Sequence, residues 1–349
     1  MSQKIYLICF LFWCLTVLAL TAFSQPLKVG EVSANPGEKK SGFIVVPAGK
    51  DGPEVKIPVT VINGVKEGPT LALIAGIHGY EYPPILALQR LRSELDPTHI
   101  SGAVILVHIA NVPSFLKRTI YYNPHDWKNL NRVFPGKEKG TMSERIAFQI
   151  TKEVIDKCDY LIDNHCGDGN EDLMPYIYCA EIGQAEVDAQ TRELAVNYGI
   201  RVIVHETDWP KDKESSLYCD NTALVRGKPA IGIESGKLGR TDEEDVKLII
   251  DGTYNILKHL KMFPGKPVVE FEPIWVEKLT VIRSHHTGLF YPLVHRGYHV
   301  QKGEVVGYVT DFFGSKLEEV RAPYDGIVLY IISTPPINEG EPLVSVGGF

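Results

Sequence analysis

Apolar residues run unbroken through Leu71-Ala72-Leu73-Ile74-Ala75 and again through Val104-Ile105-Leu106-Val107. Such runs predict strands buried on both faces. Between them Ile85, Leu88, Leu91 and Leu95 recur at helical spacing behind Pro83 and Pro84, which predicts a helix. The alternation continues with a helix over 146–155, a strand at Tyr160-Leu161-Ile162-Asp163, a helix over 187–198, strands at 202–204 and 230–234, and a helix over 243–260. Strand alternating with helix predicts an α/β sheet with helices on both faces. Ahead of this region, residues 27–62 suggest short strands between Gly, Pro and Asn turns, with β-rich stretches at 43–46 and 57–61. After Phe263-Pro264-Gly265-Lys266-Pro267 the helical spacing stops. Residues 267–349, rich in Gly, Pro, Val and Tyr, predict a smaller, all-β, barrel-like domain.

Residues 1–24 stand apart. Lys4 is their only charged side chain, Ile5 to Leu20 is apolar, and Ala22-Phe23-Ser24 brings small residues to the positions a signal peptidase reads. This layout predicts a secretory signal cleaved before Gln25. The other possibility is an uncleaved anchor, for which the run is short. Three segments are therefore expected: a signal peptide at 1–24, a catalytic domain at 25–266 and a β domain at 267–349. The product is expected to be secreted or periplasmic and to keep no stable membrane contact. A formal charge of −7 does not suggest nucleic acid or an anionic membrane as partner, and a homo-oligomer is compatible with the composition. Outside the signal lie Cys158, Cys166, Cys179 and Cys219. Their spacing fits no thiolate metal motif, so they are expected to be mostly buried thiols, although export permits a bridge.

Chemistry concentrates where strands end. Gly76-Ile77-His78-Gly79-Tyr80-Glu81 follows a buried strand and precedes a helix, and ligands bind at the carboxyl ends of strands in α/β sheets. His78 and Glu81, three apart, can face one metal ion, although a lone His-x-x-Glu is weak evidence. His165, after Asp163-Asn164, ends another strand. It is either a third ligand or a satisfied buried histidine. Two His and one Glu would leave the fourth position open, as in catalytic zinc sites, and Asp163 is placed to fix the tautomer of His165. Glu234 ends the 230–234 strand and is a candidate base, or an ordinary surface carboxylate. Arg118 and Arg132 flank a loop-like stretch and offer cations for a carbonyl or a carboxylate.

Taken together, Gly76 to Glu81, Asn111, Arg118, Asn129-Leu130-Asn131-Arg132-Val133-Phe134-Pro135-Gly136, Asp163-Asn164-His165 and Gly232-Ile233-Glu234 resemble the succinylglutamate desuccinylase/aspartoacylase family, a branch of the zinc carboxypeptidase fold. The resemblance runs in order from about residue 27 to the C-terminus. It implies a zinc-carboxypeptidase-like mixed sheet flanked by helices, and one Zn2+ per chain held by His78, Glu81 and His165. It further implies Glu234 as general base, Arg118 polarising the scissile carbonyl, and Asn131 with Arg132 binding the substrate carboxylate. The C-terminal β domain would lie over the active-site mouth and restrict it to small substrates. The implied activity is hydrolysis of the amide of a small N-acyl amino acid or N-acylated amine. Two alternatives stand beside it: a zinc peptidase acting on short peptides or cell-wall fragments, and a catalytically silent binding protein of the same fold.

The pattern departs from the family at several points. Tyr80 stands where the family has Asp or Asn, so it is expected to shape the substrate pocket. Asn129 stands where Asp is usual. Leu224 occupies the place of the arginine that grips a side-chain carboxylate in aspartoacylase, and Arg226 does not align with it; acetylaspartate and succinylglutamate are therefore not expected substrates. Residues 300–304 and 321–326 resemble a biotinyl/lipoyl-type barrel. The stretch 311–316 corresponds to its modified hairpin, but Lys316 lacks the usual setting, so an unmodified barrel is expected.

Overall fold

The computed structural model describes residues 25–349; the expected signal peptide at 1–24 lies outside them. A nine-stranded mixed sheet runs in the order 274–276, 202–206, 176–180, 230–234, 160–165, 66–75, 101–107, 55–63 and 38–46. The strands Lys66–Ala75, Tyr160–His165 and Ala230–Glu234 at its centre are parallel neighbours. Their side chains alternate between two cores. Ala72, Ile74 and Leu161 face one, with Ile146 and Ile150; Leu71, Leu73 and Ile162 face the other, with Leu88, Leu91, Leu194 and Ile256. Period-two alternation with both faces apolar is what an unbroken hydrophobic run encodes.

The predicted helices form as Tyr82–Glu94, Met142–Glu153, Ala185–Tyr198 and Glu243–His259. Two short ones were not expected, Val112–Lys117 and Cys219–Leu224; at six residues each they are too short to show a helical period. The stretches at 43–46 and 57–61 prove to be parts of two nine-residue strands, Glu38–Val46 and Val55–Asn63. Lys39, Lys40 and Ser41 on the edge strand had hidden its length. Among the described residues, no helix is long and apolar enough to cross a membrane.

The C-terminal region forms two antiparallel sheets around Phe290, Val300, Val309, Val328 and Val344. Its hairpin at 311–316 carries Phe312 and Phe313, both exposed, at the turn, while Lys316 sits in the following strand and pairs with Glu319 at 3.0 Å. The expected boundary at residue 266/267 falls one strand early. Ile274–Val276 pairs in parallel with Val202–Val204 and completes the large sheet, because its apolar residues cover that sheet's edge. In the other direction, Glu171–Leu173 leaves the catalytic region and pairs with Tyr330–Ile332 of the β domain. The four described cysteines are free and buried, and burial pushes the Cys158 and Cys179 thiols up to about 12.

Leu73 is fully buried in the central strand. Leu73→Ala should cost about 2–5 kcal/mol through lost transfer energy and a residual cavity, read as a shift of the urea midpoint at constant slope.

Candidate active site

The strand Lys66–Ala75 ends at Gly76, whose φ of +71° turns the chain out of the sheet. Asn111 pins this turn: its N–H donates to Gly76 O at 2.8 Å and its side-chain amide donates to Ile77 O at 3.2 Å. A side chain at Gly79 would meet Thr119 O at 2.4 Å and Ser114 O at 2.6 Å, so the close crossing of these loops requires glycine there. The turn delivers His78 and Glu81 to the carboxyl edge of the sheet. His165 arrives at the same edge from the adjacent strand.

The ligand atoms of His78, Glu81 and His165 lie within 4.8 Å of one another. His78 Nδ1 is 2.6 Å from Glu81 Oε1, and His165 Nδ1 is 3.1 Å from Glu81 Oε2. The far nitrogen of each ring has an acceptor: Asn129 Oδ1 at 3.1 Å from His78 Nε2, and Asp163 Oδ2 at 2.9 Å from His165 Nε2. Each acceptor suits a ring proton on Nε2, the tautomer that would turn a lone pair on Nδ1 toward a bound cation. The two Nδ1 atoms and the Glu81 carboxylate converge on one point, which is a donor set for a cation once that cation replaces any proton shared there. The electrostatics agree. Burial opposes charge on both imidazoles, yet Glu81 raises the pKa of His78, and Asp163 with Glu81 raises that of His165. Burial would raise Glu81, but the two histidines outweigh it and hold the carboxyl at about 2. Positive charge is stabilised at this point.

The parallel pairing of the 160–165 and 230–234 strands sets Glu234 opposite His165 and Gly232 opposite Asp163. Glu234 faces the same cleft as His165, Asn131 and Arg132, a cavity of about 210 Å³. Its Oε2 is buried with no hydrogen-bond partner. Burial pushes its pKa well up, and Glu81 and Glu171 add to this against the pull of His165. Asn131 is fixed by accepting from Cys219 N at 2.8 Å, and its Nδ2 lies 3.3 Å from His165 Nε2. Arg132 donates to Asn131 O at 2.7 Å and lies over the Tyr218 ring at 4.8 Å. Asn129 works where Asp is usual because a single carbonyl oxygen is enough to accept from both His78 and Asn131 N.

Two expected residues do not meet the cleft. Arg118 caps the Val112–Lys117 helix at φ +53°, and its side chain lines a separate apolar depression with Tyr82, Phe115 and Leu116. Tyr80 packs on Gly169 and Gly239, where an added Cβ would sit 3.1 Å and 2.9 Å from its ring, and faces Tyr82 at 5.8 Å. These glycines give the phenol room away from the cleft. In their place the cleft contains Tyr178, Glu206, Trp209, Tyr218 and Asp220, none of which the sequence had singled out. Asp220 is a carboxylate in a six-residue helix whose residues are all buried. Burial, then Asp163, push its pKa up to about 7. Asp168 is likewise pushed up to about 7 by burial, against His78. It accepts from Tyr121 N and Gly169 N and lies just behind the site. The β domain reaches the cleft through Leu279, and Val281, Arg283 and Tyr330 line the adjoining space.

Residues 67–260 match the model of the succinylglutamate desuccinylase/aspartoacylase catalytic domain. N-alpha-acetyl-L-2,4-diaminobutyric acid deacetylase of Halomonas elongata is 31% identical over 318 residues, covering 87% of this chain and 90% of that protein. The crystal structure of succinylglutamate desuccinylase/aspartoacylase from Rhodobacter sphaeroides is similar at a TM-score of 0.79 and 25% identity, over 93% of this chain and 99% of the other. The product-bound ectoine utilization protein EutE (DoeB) from Ruegeria pomeroyi shares the fold at a TM-score of 0.82 and 24% identity, over 93% and 99%. With its catalytic region matched as a unit and a relative sharing nearly a third of its residues over most of both lengths, the chain belongs to the succinylglutamate desuccinylase/aspartoacylase family of deacylases.

Proposed function

We propose that this protein is an exported, zinc-dependent deacylase that hydrolyses the amide of a small N-acyl amino acid. The observation that carries the reading is the convergence of His78 Nδ1, His165 Nδ1 and the Glu81 carboxylate beside a buried, unpartnered carboxylate oxygen of Glu234. A zinc ion held by these three residues supplies a Lewis acid and lowers the pKa of water.

The chain's own residues do the rest. Glu234, its pKa raised, takes a proton from the attacking water and later gives it to the leaving nitrogen. The water oxygen bonds to the acyl carbon, the C–N bond breaks, and the products are a carboxylate and a free amine. Asp163 and Asn129 hold the two imidazoles in the tautomer the ligand role needs. Asn131 and Arg132 receive the carboxylate of the amino acid half, the arginine offering its planar fork. Arg118, outside the cleft in this structure, would need to turn inward to polarise the carbonyl. The activity of the Halomonas relative, deacetylation of an N-acetylated amino acid, supports the substrate class. The β domain at the mouth supports a small substrate over a long peptide.

The reading is tested by free-amine release from N-acetyl, N-succinyl and longer N-acyl amino acids, with dipeptides alongside, in added zinc and in chelator. Chelator-sensitive release from small N-acyl compounds is expected. Preferential cleavage of dipeptides would make the protein a peptidase, and zinc binding without turnover of any member would make it a binding protein.

The two kinds of site residue should separate. Glu234→Ala should keep its zinc content and lose about 10²–10⁴-fold in kcat, whereas His78→Ala should lose the metal as well. Equal zinc loss in both, measured on the purified proteins by elemental analysis, would remove Glu234 from the role of base. Export predicts that the protein recovered outside the cytoplasm begins at Gln25; terminal sequencing that finds Met1 or Ser2 would count against it.

A further inference from the structure

The helix Tyr82–Glu94 packs on Ile62, Leu71 and Leu106 of the large sheet, but no residue of the edge strand Glu38–Val46 enters that core. Beside the helix this leaves a depression of about 650 Å³. Ser41 and Phe43, two apart on the edge strand and so on one face of it, line it with Thr60 of the next strand and His108 just past the end of the third. Gln89 and Arg92, three apart on the helix, close it from the other side. None of its lining residues lines the cleft. Ser41 and Thr60 pair across their strands with hydroxyls 2.8 Å apart. Thr60 Oγ1 is also 2.8 Å from His108 Nε2, and Arg92 Nε donates to Ser41 Oγ at 2.9 Å. His108 is 8% exposed, and its Nδ1 has no hydrogen-bond partner. Burial, then Arg92, push its pKa down to about 4, so the ring is neutral near pH 7 and carries one proton. On Nδ1 that proton would make a buried N–H without an acceptor, which is costly. It therefore sits on Nε2 and is donated to Thr60. Thr60 in turn donates to Ser41, and the Ser41 hydroxyl proton is left to point outward.

The depression thus offers donors and no negative charge. Arg92 Nη1 and Nη2 have no partner among the described residues, and no Asp or Glu lines the surface. Lys39 Nζ, donating to Arg92 O at 2.7 Å and Leu95 O at 2.9 Å, sets a second positive charge alongside. The walls are apolar: Phe43, 41% exposed, with Pro58 and Ile109. A concave apolar surface with a few convergent polar groups is the form of a small-molecule site, and a guanidinium fork matches a carboxylate. We infer that this depression is a second ligand site, which takes a small organic acid as its anion. The carboxylate lies on Arg92 and the Ser41 hydroxyl, and the hydrocarbon body lies on Phe43 and Ile109. The site shares nothing with the cleft, so it stands or falls apart from the deacylase reading.

The test is calorimetric titration of the zinc-loaded protein with hexanoate, hexanamide, acetate and inorganic phosphate, repeated on Arg92→Ala and Phe43→Ala. Both side chains are exposed, so both variants should fold. Hexanoate held at the zinc would persist in Arg92→Ala; binding that this variant loses is binding in the depression. Arg92-dependent binding of hexanoate is expected, with a dissociation constant on the order of 1 mM that Arg92→Ala weakens by about 10-fold or more. Hexanamide, of the same shape without the charge, should show none of it. Hexanoate should lead acetate, and Phe43→Ala should remove that lead. Equal hexanoate binding in the parent and Arg92→Ala, hexanamide matching hexanoate, or a lead over acetate that Phe43→Ala leaves unchanged would overturn the inference. Arg92-dependent phosphate binding tighter than that of hexanoate would also overturn it, by making this an inorganic-anion site.

Discussion

The whole site hangs on one ladder, the in-register parallel pairing of Tyr160–His165 with Ala230–Glu234. That register sets His165 beside Glu234 and Asp163 beside Gly232. A slip of one residue would turn every one of these side chains to the opposite face of the sheet, and the cleft would lose one candidate ligand and the candidate base together. The register is enforced by Leu161 and Ala230, which enter one core, and Ile162, Ile231 and Ile233, which enter the other. The apolar packing that makes the strands fold is therefore what aligns the polar ends.

The cleft concentrates negative charge to a degree the rest of the sheet does not. Glu81, Asp163, Asp168 and Asp220 are buried within reach of one another's fields, and burial raises Asp168, Asp220 and Glu234. Carboxylates gathered in a low-dielectric interior repel and desolvate one another, so they persist only where positive charge offsets them. The imidazoles of His78 and His165 supply part of it. Asn111, Asn123 and Asn129 bind through neutral amides around the same loops and so fix the backbone without adding to the repulsion.

Much of this was legible in the sequence. Unbroken apolar runs at 71–75, 104–107 and 230–233 located the strands, and His78, Glu81, His165 and Glu234 stood at their ends, where the structure brings them together. What escaped has physical causes. Tyr178, Trp209 and Asp220 come from a central strand, a loop and a short helix that share no periodicity with the motif, so only the fold brings them to it. Tyr80 was expected in the pocket because its bulk sits inside the motif. The room made for it by Gly169 and Gly239, distant in sequence, could not be seen along the chain. Arg118 points away because a left-handed cap turns the backbone there, a conformation that the arginine itself does not announce. The boundary at 266/267 was misplaced because composition changes before the sheet is complete.

The strand Glu171–Leu173 has a mechanical meaning. It is laced into the β domain by three ladder pairs, by Met174 N donating to Leu329 O at 2.9 Å and by Arg296 donating to Leu173 O at 2.8 Å. Its Glu171 is tied at the same time to Tyr121 beside the cleft. A domain joined in this way does not swing on a hinge; lifting it would tear a sheet. The ladder that completes the β domain's sheet is thus also what holds Tyr330 against the space beside the cleft.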